Sequence, residues 1–176
     1  MGISANQARL MTLTARQHDL ELRAQSISAQ KMVTSMESQQ HATSYSTGLN
    51  NYSILKLAET AVKNAAANQH FEVDQFGNIK QTDKTSGTGV YGKDQLYAAV
   101  AAQLGLGDGF ATDTATYLGN IKADYDLEMS KLSTQEKMLD MELTQINTEH
   151  NAVKTEYDAV KSLVSDNTEK SFNVFG

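Results

Sequence analysis

The stretch KMLDMELTQINTEHNAVKTEYDAV, residues 137–160, decides the fold because its apolar residues recur at alternating steps of four and three. The spacing continues in both directions, and eleven of its fourteen positions are apolar: Leu118, Lys122, Tyr125, Met129, Leu132, Glu136, Leu139, Leu143, Ile146, His150, Val153, Tyr157, Val160 and Val164. A 3.5-residue period lines one seam of a helix and predicts left-handed coiled-coil packing over about 70 Å. A helix with so many apolar side chains on one seam requires a partner.

Three polar residues, Lys122, Glu136 and His150, interrupt this seam at intervals of fourteen residues. Polar residues in a coiled-coil seam fix register and partner choice at some cost in stability. A histidine in such a position also admits a second interpretation, a pH switch. We expect these three residues to set the register of the packing.

The first 46 residues supply a candidate partner helix. Leu10, Leu13, Leu20, Ala24 and Ile27 fall on one heptad seam, which turns polar beyond Ile27. A second apolar set lies on neighbouring faces: Met11, Ala15, Leu22, Ala29, Met32 and Met36. Because a helix that is apolar on more than one face usually has more than one neighbour, we expect this helix to contact several partners.

We expect four segments along the chain. They are a long N-terminal helix (1–46), a helical connector (47–69), a small insert (70–113) and a long C-terminal heptad helix with its tail (114–176). The sequence TGLNNYS at 47–53 predicts a break in the first helix, after which Ser53 caps a further helix. The fold class predicted is therefore mainly α, with long antiparallel terminal helices in a coiled coil around a small α+β insert.

The insert begins with HFEVDQFGNIKQTD, residues 70–83, in which apolar and polar residues alternate around a glycine-containing turn. This pattern predicts one β-hairpin, with Gly77 and Asn78 supplying positive φ angles at the turn. A short helix is predicted at about 93–104, ended by Gly105.

A glycine motif precedes that short helix. Gly87, Gly89 and Gly92 spell G-x-G-x-x-G, the pattern of a dinucleotide-binding turn. Such a turn requires a buried strand before its first glycine, whereas the residues before Gly87 are NIKQTDKTS, which are polar. We therefore interpret this segment as a flexible glycine-containing loop and expect no cofactor there.

Other catalytic patterns are weak. The chain has no cysteine, and its histidines, His18, His41, His70 and His150, do not form a zinc-binding motif. No nucleophile elbow or phosphate-binding loop is present in the sequence. We expect no catalytic residue, no metal and no cofactor, and hence a protein that is not an enzyme.

Composition limits the partners. The net charge of −6 and the pI of about 5.1 disfavour a general nucleic-acid-binding surface. The sequence has no apolar run long enough for a Sec signal or a membrane span, so we expect neither. Proline is absent, which suits long unbroken helices.

The two ends of the chain, SANQARLMTLTARQHDLELRAQSISAQKM (4–32) and KMLDMELTQINTEHNAVKTEYDAVKSLVSDNTEKSFNVFG (137–176), resemble those of flagellar and type III secretion filament subunits. This group includes flagellin, hook-associated proteins and needle-complex filament proteins. The resemblance implies that the terminal helices pair as an antiparallel coiled coil, form the inner layers of a fibre and leave the insert facing outward.

We therefore expect a structural subunit that assembles with itself into a helical filament or tube. Phe172, Val174 and Phe175 have no evident partner within the chain, and we expect them to dock onto a neighbouring subunit. The expected location is an extracellular or cell-surface filament reached without a Sec signal, with an export chaperone as a further partner. The alternative is a cytoplasmic coiled-coil scaffold or export-linked chaperone that works as a dimer.

Overall fold

The computed structural model describes residues 3–106 and 114–173, with side chains for 4–106 and 114–170. The elements in chain order are α1 (Ile3–Asn64), β1 (His70–Val73), β2 (Ile79–Thr82), β3 (Val90–Gly92), α2 (Lys93–Gln103) and α3 (Thr114–Asn173). The protein is thus mainly helical with a small antiparallel sheet, which confirms this part of the sequence-based prediction.

The chain divides into two compact units. The terminal unit contains Met1–Glu37 and Lys131–Gly176, and the central unit contains Ser38–Ser130. Each of the long helices, α1 and α3, contributes residues to both units. The sheet and α2 belong to the central unit alone.

The predicted break at 47–53 is wrong, because α1 continues through it to Asn64. Gly48, which suggested the break, is buried, and a Cβ at this position would lie 3.1 Å from Ile121 Cδ1. The glycine therefore permits α3 to approach α1 closely in the central unit. Ser53 does not cap a helix, since its Oγ donates to the Leu49 carbonyl oxygen one turn earlier.

The predicted hairpin is confirmed by β1 and β2, which pair antiparallel with Val73 opposite Ile79. The turn is held by Asp74, whose Oδ1 accepts hydrogen bonds from the backbone N–H groups of Phe76 and Asn78 at 2.8 and 2.9 Å. Gly77 has a φ of +81°, as expected for this turn. The expectation of a positive φ at Asn78 is wrong, because only glycines adopt positive φ among the described residues.

The glycine-rich segment before α2 is more ordered than the predicted loop. Its last residues form β3, which pairs antiparallel with β1 and gives the strand order β2-β1-β3. Gly89 has a φ of +79°, and its carbonyl accepts a 2.9 Å hydrogen bond from Val73 N. A Cβ on Gly89 would lie 3.1 Å from the Val73 carbonyl oxygen. The glycine therefore allows the segment to reach the sheet, which is a structural reason for this part of the motif.

The central unit has a layered core formed by α1, the sheet, α2 and the first turns of α3. Its buried residues are Leu55, Ala58, Phe71, Val73, Leu96, Val100, Ala101 and Tyr117. The short helix predicted at about 93–104 is α2, which supplies Leu96, Val100 and Ala101 to this core. Helix α2 ends where Gly105 takes a φ of +69°.

Candidate assembly interface

A seam between α1 and α3 forms the core of the terminal unit. Its buried residues are Leu13, Leu20 and Ile27 of α1 with Leu139, Ile146, Val153 and Val160 of α3, and Leu10, Ala24, Leu143 and Tyr157 pack against them partly buried. On each helix the fully buried positions recur every seven residues. The structure thus brings together eleven residues from the two seams identified in the sequence.

Ion pairs beside this seam establish the direction of the two helices. Arg9 Nη2 lies 2.5 Å from Glu156 Oε1, and Lys31 Nζ lies 2.6 Å from Asp140 Oδ1. The partner number falls as the α1 number rises, so the helices run antiparallel in this unit. The hydrogen bond and charge of Asp140 raise the pKa of Lys31, and the charge of Glu136 adds to this effect.

The three polar seam residues occupy different environments. His150 is half-buried, and its Nε2 lies 3.7 Å from Glu21 Oε1 across the seam. Glu136 is exposed in the terminal unit. Lys122 is also exposed, whereas the preceding residue, Ile121, packs against the central core. The packed face of α3 therefore passes through residue 121 instead of residue 122, because α3 meets a layered core there and not a single helix.

The other predicted seam residues of the central unit are Leu118, Tyr125 and Met129, all half-buried. The ring of Tyr125 stacks on that of Tyr45, with centroids 4.5 Å apart and planes inclined by 18°. The hydroxyl of Ser38 donates a 3.6 Å hydrogen bond to Met129 Sδ. These contacts join α1 and α3 through polar and aromatic groups.

One polar residue of the N-terminal seam is buried in the terminal unit. Thr34 is buried, and its hydroxyl donates a 3.1 Å hydrogen bond to the carbonyl one turn earlier. The sequence places Thr34 on this seam, because the steps from Ile27 to Lys31 and then to Thr34 keep the heptad spacing, but it does not predict that Thr34 is buried. On α3, Leu132 is buried and Val164 is half-buried.

The predicted docking residues near the C-terminus cannot be placed on this surface. Val174 and Phe175 lie outside the described residues, as does the side chain of Phe172, whose backbone belongs to α3. Their docking onto a neighbouring subunit stays a prediction.

The outer faces of the terminal helices expose large apolar side chains. On α1, these are Met11, Leu22, Met32, Val33 and Met36, and on α3 they include Met138, Met141 and Leu163. Met32 is 62% exposed and Met141 is 66% exposed, so the seam covers neither. Most of the α1 residues belong to the second apolar set recognised in the sequence. The α1–α3 pair therefore leaves a substantial apolar surface on both of its helices.

In the central unit, the Glu59 carboxylate of α1 binds the first turn of α3. Thr114 Oγ1 donates a 2.5 Å hydrogen bond to Glu59 Oε2, and Lys56 and Lys63 both pair with the same carboxylate. The hydrogen bonds from Lys63, Thr114 and Lys56 lower the pKa of Glu59 to about 2. Glu59 is thus an anion that holds buried Thr114 in place at neutral pH.

A cleft of about 440 Å³ lies between α1 and the hairpin in the central unit. Ile54, Leu57, Phe71 and Ile79 provide its apolar lining, and the polar side chains on it are amides. Among the described residues, no three acidic or histidine side chains form a group that could hold a metal ion. The strongest candidate for a functional surface is therefore the exposed apolar face of the terminal helices.

Comparison with protein-family models, with curated proteins and with solved structures finds no match. Among the helices of the described segments, none combines the length and apolar character needed to cross a membrane.

Proposed function

We propose that this protein is a structural subunit that assembles with itself into a helical filament or tube. Its terminal helices pair as an antiparallel coiled coil, and their outer faces pack against neighbouring subunits. The observation that carries this proposal is the apolar surface left on α1 and α3 after their shared seam is buried, with Met32 and Met141 each more than half exposed. Large apolar patches on a protein surface mark sites of interaction with other molecules.

The geometry favours repetition of one contact. A pair of helices buries one stripe of each helix, so the remaining apolar stripes face outward in different directions. When a contact joins two different surfaces of identical subunits, each added subunit can bind another one. The result is a ring if the rotation closes and an open helical filament if it does not. The two ends of the sequence resemble those of flagellar and type III secretion filament subunits, and this resemblance supports export without a Sec signal and an extracellular location.

Light scattering and negative-stain electron microscopy of the purified full-length chain test the proposal over a wide range of concentrations. We expect particle mass to rise with concentration and fibres to appear on the grids. Deletion of residues 1–10 and 170–176 should abolish polymers while far-UV circular dichroism retains most of the helical signal. A dimer of fixed mass at every concentration would instead support the cytoplasmic scaffold, and polymers formed by the truncated chain would contradict a role for the termini.

A further inference from the structure

The outward face of α1 carries a second stripe with heptad spacing. Its members are Met11, Ala15, His18, Leu22, Gln25, Ala29, Met32 and Met36, and all are exposed. The steps between them alternate four and three, so they line one continuous ribbon of the helix. A ribbon with this period fits the side chains of another helix in the same way as the buried seam does.

The outward face of α3 carries a matching ribbon. Its members are Met138, Met141, Gln145, Thr148, Ala152, Thr155 and Ala159, again at steps of three and four and again exposed. Met141, Gln145 and Thr148 line a shallow concave surface, with Asp140 and Glu149 at its border. Small and medium side chains beside two methionines form a surface into which larger side chains can insert.

Met32 of the α1 ribbon and the two methionines of the α3 ribbon lie at the same height along the axis of the terminal unit. The bond between Lys31 and Asp140 places these positions opposite each other on the antiparallel helices. Met32 follows the first of them, and Met138 and Met141 flank the second. Identical copies placed side by side, in the same direction and at the same height, would therefore bring Met32 of one copy to the level of Met138 of the next.

Charge determines which helix of the next copy fits the α1 ribbon. Residues 1–37 contain four basic and three acidic side chains, for a net charge of +1. Residues 131–176 contain five basic and eight acidic side chains, for a net charge of −3. Opposite signs favour a contact between α1 and α3, whereas two copies of α3 would repel each other.

We propose that the α1 ribbon of one subunit binds the α3 ribbon of a second copy, antiparallel, with Met32 at the level of Met138. This inference rests on the proposed function and specifies its contact. The two ribbons are different surfaces, so each subunit that joins presents a free ribbon for the next. The side chains of the two ribbons, which are exposed in the single subunit, thus form the contact between subunits.

Disulfide crosslinking tests this contact on a clean background, because the chain has no cysteine. The full-length variants Met32→Cys and Met138→Cys are mixed and oxidised, and crosslinked dimers are counted by gel and mass spectrometry. We expect dimers that join one copy of each variant and few from either variant alone. The control is Gln30→Cys, an exposed position about 200° round the helix from Met32, which should not crosslink to Met138→Cys.

A second pair of variants measures assembly. Met32→Glu should raise the concentration at which polymers appear about tenfold or more, because it places a charge in an apolar contact beside an acidic helix. Gln30→Glu adds the same charge on another face and should leave that concentration within about twofold. Both positions are exposed in the subunit, so neither change should reduce its helical content.

Each result decides between the contact and the filament. Polymers without mixed crosslinks, or crosslinks within a single variant, would overturn the proposed contact and leave the filament proposal standing. Mixed crosslinks in a particle that never grows would support the contact and overturn the filament. A chain that remains monomeric and yields no crosslinks would contradict both.

Discussion

In the central unit, Leu55, Ala58, Leu96 and Val100 are completely shielded from solvent by parts of three helices and a sheet. In the terminal unit, two helices share one seam, and the apolar residues beside it remain open to water. A layered core excludes water from several directions, whereas a helix pair can bury only one stripe on each member. The central unit therefore encloses its core within one chain, whereas the terminal helices keep an apolar surface that the proposed assembly would cover.

The largest expected difference between the units comes from core truncation. Leu96→Ala should lower the free energy of unfolding by about 2–5 kcal/mol, because it leaves a cavity in a core closed on all sides. Leu20→Ala should lie near the lower end of this range in dilute protein, because the helix pair can close around the smaller residue. Urea unfolding followed by circular dichroism gives both values.

Leu57→Ala is the control for this pair, since Leu57 is exposed in the central unit and its truncation should change stability by about 0.5 kcal/mol or less. A greater loss for Leu20→Ala than for Leu96→Ala would contradict the distinction between the two units.

The next effect is the acid sensitivity of the central unit. The folded-state pKa of Glu59 is about 2 against an ordinary value of 4.5, so its charged form stabilises the fold. This contribution is fully present above about pH 4.5 and is lost as the pH falls through 2. The advantage of the wild type over Glu59→Gln should therefore be constant near neutrality, decrease below about pH 4.5 and be lost as the pH falls through 2. Urea midpoints across this range provide the measurement, and a difference independent of pH would refute it.

The aromatic contact in the central unit should have a smaller effect. Tyr45 and Tyr125 stack at 4.5 Å, and such pairs contribute about 0.5–1.5 kcal/mol beyond the area they bury. A double-mutant cycle with Tyr45→Leu and Tyr125→Leu isolates this coupling by urea unfolding. A coupling energy of zero would show that the two side chains contribute only their separate burial.

The smallest expected effect belongs to the ion pair beside the terminal seam. Arg9 and Glu156 are both exposed, so Glu156→Gln should cost about 0.2–1 kcal/mol in low salt. The cost should fall further in 0.5 M sodium chloride, because salt screens exposed charges. Thermal unfolding at the two salt concentrations measures it. A large loss that persists in high salt would mean that the pair is part of the buried packing.

The terminal seam and the hairpin were the features most accessible from sequence, because each depends on a short repeating pattern. The spacing of Leu139, Ile146 and Val153 alone locates the buried face of α3. The alternation around Phe71 and Val73 likewise indicates β1.

The features that sequence reasoning missed depend on contacts between distant residues. From sequence alone, Gly48 predicts a helix break. In the structure, the side chain of Ile121 packs against Gly48, so the glycine instead allows α1 and α3 to pack closely. Strand β3 was missed because Gly89 makes its segment look flexible, although its carbonyl bonds to β1. Lys122 is exposed because α3 packs against the layered central core through Ile121. The heptad spacing of the sequence does not indicate this change of packed face.

Hydrogen exchange read by mass spectrometry tests the contrast between the units most directly. In dilute protein, peptides covering 13–33 and 139–160 should exchange faster than those covering 55–62 and 96–101, because fewer contacts protect them. At high concentration the terminal peptides should become protected while the central ones stay unchanged, since assembly covers only the outer helical ribbons. If the terminal peptides were as protected as the central ones at every concentration, the account would be contradicted. Such a result would mean that the helix pair is fully stable without contacts between subunits.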